Sequence, residues 1–368
     1  MRIPLLARAA ALLACALLCA APTRAAAASK QAPPPEGLLL VLNKDDSTIS
    51  FIEARPAAKA SERLRLLKSA PTGKNPHEVS VSPDASQAWV SNSGDDTLSV
   101  FDLASLEPVA TVRHAGFKFP HGSAFTPDGA KLYVACTRSN SVFSIDVRER
   151  RVVAEIPTGQ SDSHMVAMTP DGARIFVPNI GSRAVSVVST AEERLVGEVR
   201  VGRGPEGIAL TPDGRRLLVA NQEDSTLSVI DTAALQVVDA FEVGEFPVRV
   251  IVSPDGARAF TADRKGNTVT AIVLDGDNTR VIQRLAVGKS PGGMALDGPG
   301  KTLFVSLNDE ARVVLVDVER LRPVAEVRTG KGPDGIAFVP GWRKGAAGGP
   351  GAGSGRAGVL GAAGERER

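Results

Sequence analysis

The segment PEGIALTPDGRRLLVANQEDSTLSVIDTAALQVVDAFEVG, residues 205–244, decides the fold because it contains short apolar runs separated by turns. The first two runs flank Pro212-Asp213-Gly214, where proline presets its own backbone dihedral and glycine can adopt a positive one. The runs are too short for helices and are rich in β-branched residues. The segment therefore predicts a unit of four short antiparallel strands.

The same pattern recurs seven times along the chain. Its first ten residues begin at Pro76, Pro120, Ser163, Pro205, Pro247, Pro291 and Pro333, so successive copies start 44, 43, 42, 42, 44 and 42 residues apart. A period of this length is typical of four-stranded β-propeller blades. The repeat predicts an all-β, seven-bladed β-propeller over residues 37–341.

The two ends of this region are out of phase with the repeat. Residues 37–54 (GLLLVLNKDDSTISFIEA) match residues 215–232 (RRLLVANQEDSTLSVIDT), which form the middle of a unit. The segment from Pro333 is conversely a first strand with no hairpin after it. We therefore expect the last blade to be closed by N- and C-terminal strands, which pairs edges that an open array would leave free.

Four segments within the repeat carry a family resemblance. LYVAC, IFVPN, LLVAN and AWVSN are each followed within a few residues by SVFSI, AVSVV, TLSVI or TLSVF. These pairs resemble the YVTN-type β-propeller repeat of bacterial exported proteins. The resemblance implies the fold but no single function, because related propellers include cofactor-binding domains, lactonases, lyases and binding scaffolds.

The two ends of the chain differ in composition from the repeat. Residues 1–28 begin with Arg2 and Arg8, continue with an apolar run and end in small residues, which predicts a cleaved signal peptide and a periplasmic or secreted protein. The apolar run is too short to span a bilayer, so no membrane span is predicted. Residues 342–368 are rich in Gly and Ala and predict a disordered tail.

Composition limits the possible partners and linkages. Signal-peptide cleavage would leave Cys136 as the one cysteine, so no internal disulfide is expected. The 43 basic and 41 acidic residues nearly cancel, which gives no overall field to attract nucleic acid. Aromatic residues are only 4% of the chain and offer few platforms for stacked bases. Nucleic acid is therefore the least favoured partner.

One position of the repeat has no structural explanation. Its second residue is in turn His77, His121, His164, Glu206, Val248, Gly292 and Asp334. Three of the four histidines thus share one repeat position, whereas His114 lies outside it and is expected at the surface. In a closed propeller, five consecutive blades would present Asp334, His77, His121, His164 and Glu206 at the start of their inner strands. We expect these side chains to converge at the mouth of the central channel.

Imidazoles and carboxylates that converge from rigid strands are typical ligands of a divalent transition metal such as Zn, Cu, Fe or Ni. The sequence therefore predicts a candidate metal site formed by His77, His121, His164, Glu206 and Asp334, with the sulfur of Cys136 near it. The alternative is that these histidines are half-buried polar residues, hydrogen-bonded to loop carbonyls, that fill a wet channel mouth.

Two functions follow from these patterns. The first is an exported binding propeller that holds a metal, small ligand or partner protein on its channel face without catalysis. The alternative is a metal-dependent oxidoreductase or lyase in which the histidines hold the metal and Glu206 or Asp334 acts as a fourth ligand or general base. The sequence contains no phosphate-binding loop or nucleophile elbow to decide between them.

Overall fold

The structure is a computed structural model that describes residues 36–55, 63–276 and 279–344. These residues form seven four-stranded antiparallel sheets, which confirms the predicted all-β, seven-bladed propeller. The predicted signal peptide and the tail beyond residue 344 lie outside the described residues. No helix in the described part of the chain is both long and apolar enough to cross a membrane.

The described residues form twenty-eight strands. The first fourteen are β1 (Gly37–Asn43), β2 (Thr48–Ala54), β3 (Leu64–Pro71), β4 (Pro76–Val81), β5 (Gln87–Asn92), β6 (Thr97–Asp102), β7 (Glu107–Arg113), β8 (Pro120–Phe125), β9 (Lys131–Cys136), β10 (Ser141–Asp146), β11 (Arg151–Pro157), β12 (Ala167–Met168), β13 (Arg174–Asn179) and β14 (Ala184–Ser189). The rest are β15 (Arg194–Arg200), β16 (Pro205–Leu210), β17 (Arg216–Asn221), β18 (Thr226–Asp231), β19 (Gln236–Glu242), β20 (Pro247–Val252), β21 (Arg258–Asp263), β22 (Thr268–Val273), β23 (Arg280–Ala286), β24 (Pro291–Leu296), β25 (Thr302–Leu307), β26 (Arg312–Asp317), β27 (Arg322–Arg328) and β28 (Pro333–Pro340). Short 3-10 turns occupy Thr137–Ser139, Ile180–Ser182 and Asn308–Glu310.

Each blade is one sheet whose first strand in the repeat lies innermost. Blades 1 to 6 are β4–β7, β8–β11, β12–β15, β16–β19, β20–β23 and β24–β27, and blade 7 combines β28 with β1–β3. Apolar clusters fill the spaces between neighbouring blades; one of them joins Phe176 and Val187 of blade 3 to Leu217 and Ile230 of blade 4. The core is therefore a ring of interfaces around the channel.

Blade 7 closes the ring as predicted, because β28 pairs antiparallel with β1 from Gly37 opposite Pro340 inward. The chain then continues to Trp342, which the sequence places in the tail. Its indole Nε1 donates a hydrogen bond to the Leu103 carbonyl of blade 1 at 2.7 Å, and its ring packs against the apolar cluster shared by blades 7 and 1. Trp342 thus fastens the closing blade to its neighbour.

The Pro-Asp-Gly turns stack from blade to blade on the face opposite the channel mouth. Gly214 has a φ of 69°, and a Cβ placed there would lie 2.8 Å from the Pro170 Cδ of the preceding blade. Asp213 accepts hydrogen bonds from Thr211 Oγ1 at 2.6 Å and from the Arg215 amide at 3.0 Å. The Asp213 carboxylate is therefore engaged in hydrogen bonds within its own turn.

Candidate functional site

The inner strands bend at the repeat position that carries the histidines. In blade 2, Pro120 pairs with Cys136, but the next pair is Ser123 with Val134, so His121 and Gly122 together oppose one residue. The same register shift interrupts the inner strands of blades 1, 4, 5, 6 and 7. A β-bulge of this kind re-aims a side chain out of the sheet. The bulge therefore explains why the side chain at this repeat position is directed towards the channel mouth.

The residue before the first position of each repeat has a left-handed backbone conformation, and in two blades that residue is a phenylalanine. Phe119 has a φ of 57° and Phe246 a φ of 59°, although glycine is the usual residue for this conformation. The Phe119 ring lies 5.6 Å from the His77 ring and 6.3 Å from the His121 ring, between centroids. Strained backbone thus places an aromatic wall beside the histidines.

All five predicted site residues meet in one arc, in the predicted order of blades. His77 Nδ1 lies 3.3 Å from Asp334 Oδ2 and 3.1 Å from His121 Nε2. The His121 ring stacks on the His164 ring with centroids 3.6 Å apart, and His164 Nε2 lies 3.8 Å from Glu206 Oε1. The arc runs from a carboxylate through three imidazoles to a second carboxylate.

A buried arginine that the sequence did not single out crosses the channel from blade 5. Arg249 Nη1 donates to Glu206 Oε1 of blade 4 at 2.8 Å, and Nη2 donates to Glu78 Oε1 of blade 1. The side chains of Arg249, Glu206 and Glu78 are only 7%, 9% and 14% exposed. Arg249 and Glu78 occupy the repeat position that is glycine in four other blades, and this departure is the signal in the sequence.

Two further cations lie at the other end of the arc. Lys44 Nζ is 3.0 Å from Asp334 Oδ2, and Arg264 Nη2 is 3.9 Å from Asp334 Oδ1. Lys44 and Arg264 each follow the second strand of a blade, β1 and β21, directly after the buried polar residue that ends it. The sequence signal is weak here, because this repeat position begins a turn in every blade and is polar in all of them except blade 3, where it is Ile180.

The protonation states follow from burial and from these charges. Burial, followed by the neighbouring His164, His77 and Arg249, holds the pKa of His121 well below its usual 6.5, and burial with Arg249 does the same for the pKa of His164. Burial would raise the pKa of Asp334, but the His77 hydrogen bond and the Lys44 and Arg249 charges hold it well below 3.8. The two buried imidazoles are therefore neutral at pH 7 and Asp334 is ionised.

Several polar atoms of the site are buried without a hydrogen-bond partner. They are His121 Nδ1, Asp334 Oδ1, Arg249 Nε and Arg264 Nε. Buried donors and acceptors in folded proteins are almost always satisfied by protein, water or ligand. These donors and acceptors therefore have hydrogen-bonding capacity that the described residues do not use.

The donor set fits a metal ion only in part. In tetrahedral zinc sites, ligand atoms about 2.0 Å from the ion lie roughly 3.3 Å apart, and the His77–His121 and His77–Asp334 separations of 3.1 and 3.3 Å are close to that. However, Lys44 Nζ already lies 3.0 Å from the same Asp334 oxygen. Within residues 36–55, 63–276 and 279–344, no group of three or more His, Cys, Asp or Glu side chains is positioned to hold a metal.

Cys136 does not supply a further donor. Its side chain is fully buried in an apolar cluster with Phe117 and Phe143, between blades 1 and 2. Burial raises the pKa of the thiol strongly, so it is not a thiolate at pH 7. The expectation that this sulfur lies beside the histidines thus has no support in the packing around it.

Comparisons with known proteins agree on the fold. A family model described as a YNCE-like beta-propeller matches residues 1–169 and again residues 156–337. Kuenenia stuttgartiensis hydrazine synthase is similar at 25% identity over 71% of this chain and 89% of that chain, with a TM-score of 0.65. No curated protein matches the sequence.

Two other solved structures show the fold alone. One is a functionally unknown protein from Desulfotomaculum acetoxidans DSM 771, at 19% identity over 82% of this chain and 99% of that chain, with a TM-score of 0.72. The other is a putative 6-phosphogluconolactonase from Bacteroides fragilis NCTC 9343, at 16% identity over 83% and 98%, with a TM-score of 0.69. The three similar structures share no named activity.

Proposed function

Because this chain belongs to the YNCE-like β-propeller family, we propose that it is a binding propeller that holds a small ligand at its channel mouth without catalysis. A single observation carries the proposal: the channel mouth gathers buried polar atoms that lack partners, on both donors and acceptors. Two arginines, an aspartate and a histidine contribute these atoms from three different blades. A ligand there would be held by rigid strands and would complete their hydrogen bonding.

The charges of the site favour a neutral or anionic ligand over a bare cation. Three carboxylates (Glu78, Glu206 and Asp334) are paired with three permanent cations (Lys44, Arg249 and Arg264). The buried histidines add no charge because their pKa values are depressed. A divalent ion would meet no net negative charge in this group and would lie beside a lysine.

The proposal includes export to the periplasm or the medium. It rests on residues 1–28, with Arg2 and Arg8, the apolar run and the small residues that follow. We also assign the repeats to the YVTN type on segments such as LLVAN and TLSVI. N-terminal sequencing of the exported protein should show cleavage near residues 25–28, whereas an intact cytoplasmic chain would overturn the assignment of export.

Thermal unfolding with a panel of small compounds tests the binding proposal. The panel contains acetate and other small carboxylates, their amides, and Zn²⁺. A compound present at a hundred times its dissociation constant stabilises the folded state by about 2.7 kcal/mol, which should raise Tm by several degrees. His114 is a matched control, since it is exposed and its Nδ1 accepts a hydrogen bond from its own loop, at the Gly116 amide.

The two histidine variants give opposite expectations. A stabilising compound should keep its effect on His114→Gln and lose most of it on His121→Gln. Equal effects on the two variants, or no effect of any compound on the wild type, would overturn the proposal of a ligand site at the channel mouth.

A metal-dependent enzyme, an oxidoreductase or lyase, is the second candidate. Two donor separations near the tetrahedral value favour it, those of 3.1 and 3.3 Å from His77 Nδ1. A metal there would supply Lewis-acid chemistry, and His77, His121 and Asp334 would hold it after their side chains rearrange, since they are not positioned as a ligand set in the structure. Metal analysis of protein purified without chelator or His tag should then give one ion per chain, lost in His121→Ala; sub-stoichiometric metal after reloading would rule this candidate out.

A further inference from the structure

The end of the site at blade 7 carries more positive than negative charge. Lys44 and Arg264 approach the two oxygens of a single carboxylate, Asp334, at 3.0 and 3.9 Å. Among the described residues, neither cation has an ion pair with any other carboxylate. Two permanent charges thus share one counter-charge, and one positive charge is left over.

The opposite excess lies at the other end of the arc, where one arginine serves two carboxylates. Arg249 engages Glu206 and Glu78, so those carboxylates are occupied at the other end of the arc. The excess charge can be reached from solvent, because the Lys44 and Arg264 side chains are 18% and 30% exposed while that of Asp334 is 2% exposed. Because the two ends of the arc differ in sign, a small anion would be attracted to this end of the mouth at short range.

The arginine also has an unused donor. Arg264 Nη2 is too far from Asp334 Oδ1 for a hydrogen bond, and Arg264 Nε is buried without a partner. A planar guanidinium presents its donors in a fork that matches the two oxygens of a carboxylate. Arg264 thus makes no hydrogen bond to Asp334 that an anion would have to displace.

Blade 6 leaves space for Arg264 and Asp334 to approach each other. Arg264 belongs to blade 5 and Asp334 to blade 7, and the blade between them has Gly292 where five of the other six blades carry a histidine or a carboxylate. A Cβ at Gly292 would lie 2.9 Å from Asp334 Oδ1. The glycine therefore lets two non-adjacent blades build one charged subsite.

We propose that this subsite binds a small monovalent carboxylate between Lys44 and Arg264, with Asp334 beneath as the residue that positions both cations. The inference rests on the proposed function and specifies its ligand class. A single excess charge matches a monocarboxylate, and the Arg264 fork matches its planar shape. The His77 ring lies at the edge of the subsite and would report occupancy, since its Nδ1 contacts Asp334 Oδ2.

The test compares acetate with its neutral isostere acetamide by NMR of the histidine rings in the mature protein at constant ionic strength. Acetate should shift the His77 signal along a saturation curve. Acetamide should bind at least tenfold more weakly. Arg264→Gln and, separately, Lys44→Gln should each weaken acetate binding about tenfold, which is the effect of losing a charge-assisted hydrogen bond. Lys265→Gln is the matched control, because Lys265 is exposed and its Nζ lies over the Phe246 ring at 3.9 Å.

The outcomes separate this inference from the function on which it rests. Equal binding of acetate and acetamide, or equal effects of Arg264→Gln and Lys265→Gln, would overturn the carboxylate assignment while a ligand site still stands. Acetate that shifts none of the site histidines would also overturn it, whatever the other compounds do. The failure of every compound to stabilise the protein would instead overturn the proposed function. The His114 signal and the Tm of each variant show that the variants fold.

Discussion

Replacing Arg249 with methionine should be among the most damaging single changes at the channel. The substitution keeps much of the aliphatic volume but leaves Glu78 and Glu206 buried without their shared counter-charge. Removing one partner of a buried ion pair typically costs about 3–5 kcal/mol. The Asp334–Lys44 ion pair remains in the site. Solvent that enters the mouth offsets part of the loss. We expect the free energy of unfolding at pH 7 to fall by about 3 kcal/mol.

The loss should shrink in acid. Burial raises the pKa of Glu78 above its usual 4.5 and the Arg249 charge lowers it, so removing Arg249 raises that pKa further. A carboxyl whose pKa is higher in the folded than in the unfolded state destabilises the fold when ionised and stops doing so once protonated. The difference between wild type and Arg249→Met should therefore decrease as the pH falls from 7 towards 4.5.

Urea unfolding at several pH values measures this directly. The control is Arg194→Met, because Arg194 pairs with Glu192 at the surface and its loss should change stability by no more than about 0.5 kcal/mol. Adding Glu78→Gln and Glu206→Gln to Arg249→Met should restore more than half of the loss. An Arg249→Met loss as small as that of the control, or one that grows in acid, would refute the reasoning.

Three further changes test other parts of the structure. Gly335→Ala should cost about 1–3 kcal/mol in urea unfolding, because its Cβ would lie 2.2 Å from the His77 carbonyl oxygen; an unchanged midpoint would contradict that crowding. Trp342→Ala should lower the free energy of unfolding by about 1–3 kcal/mol and speed amide exchange in β28 and β1. Faster exchange confined to the tail would show that Trp342 does not fasten blade 7 to blade 1. The depressed pKa of His121 means that stability present above pH 6.5 is lost below it, by at most about 1.4 kcal/mol per pH unit. His121→Gln should flatten this acid slope and His114→Gln should not.

The sequence predicted the fold because the repeat overdetermines it. Turn, strand and period agree in copy after copy, and the out-of-phase ends leave one way to complete the ring. In a closed propeller, residues at the same repeat position lie at equivalent places in successive blades. The sequence therefore also predicted which side chains meet. The proximity of His77, His121 and His164 could be predicted from the repeat alone.

What the sequence could not supply was the partners of those side chains. Arg249 spans the channel to Glu78, a residue 171 positions away, and such a pair depends on side-chain length and rotamer. Arg264 reaches Asp334 only because Gly292 leaves space between them. These cations change the expected ligand, because they pair with the carboxylates that a metal would use.

The histidine-ring NMR spectrum during an acetate titration tests the central claim most directly. We expect the His77, His121 and His164 signals to move along one common saturation curve, because the three rings contact one another in a single site, while the His114 signal stays in place. If His114 moves in parallel with the other three, or if no ring signal saturates, the channel mouth is not a ligand site for small anions.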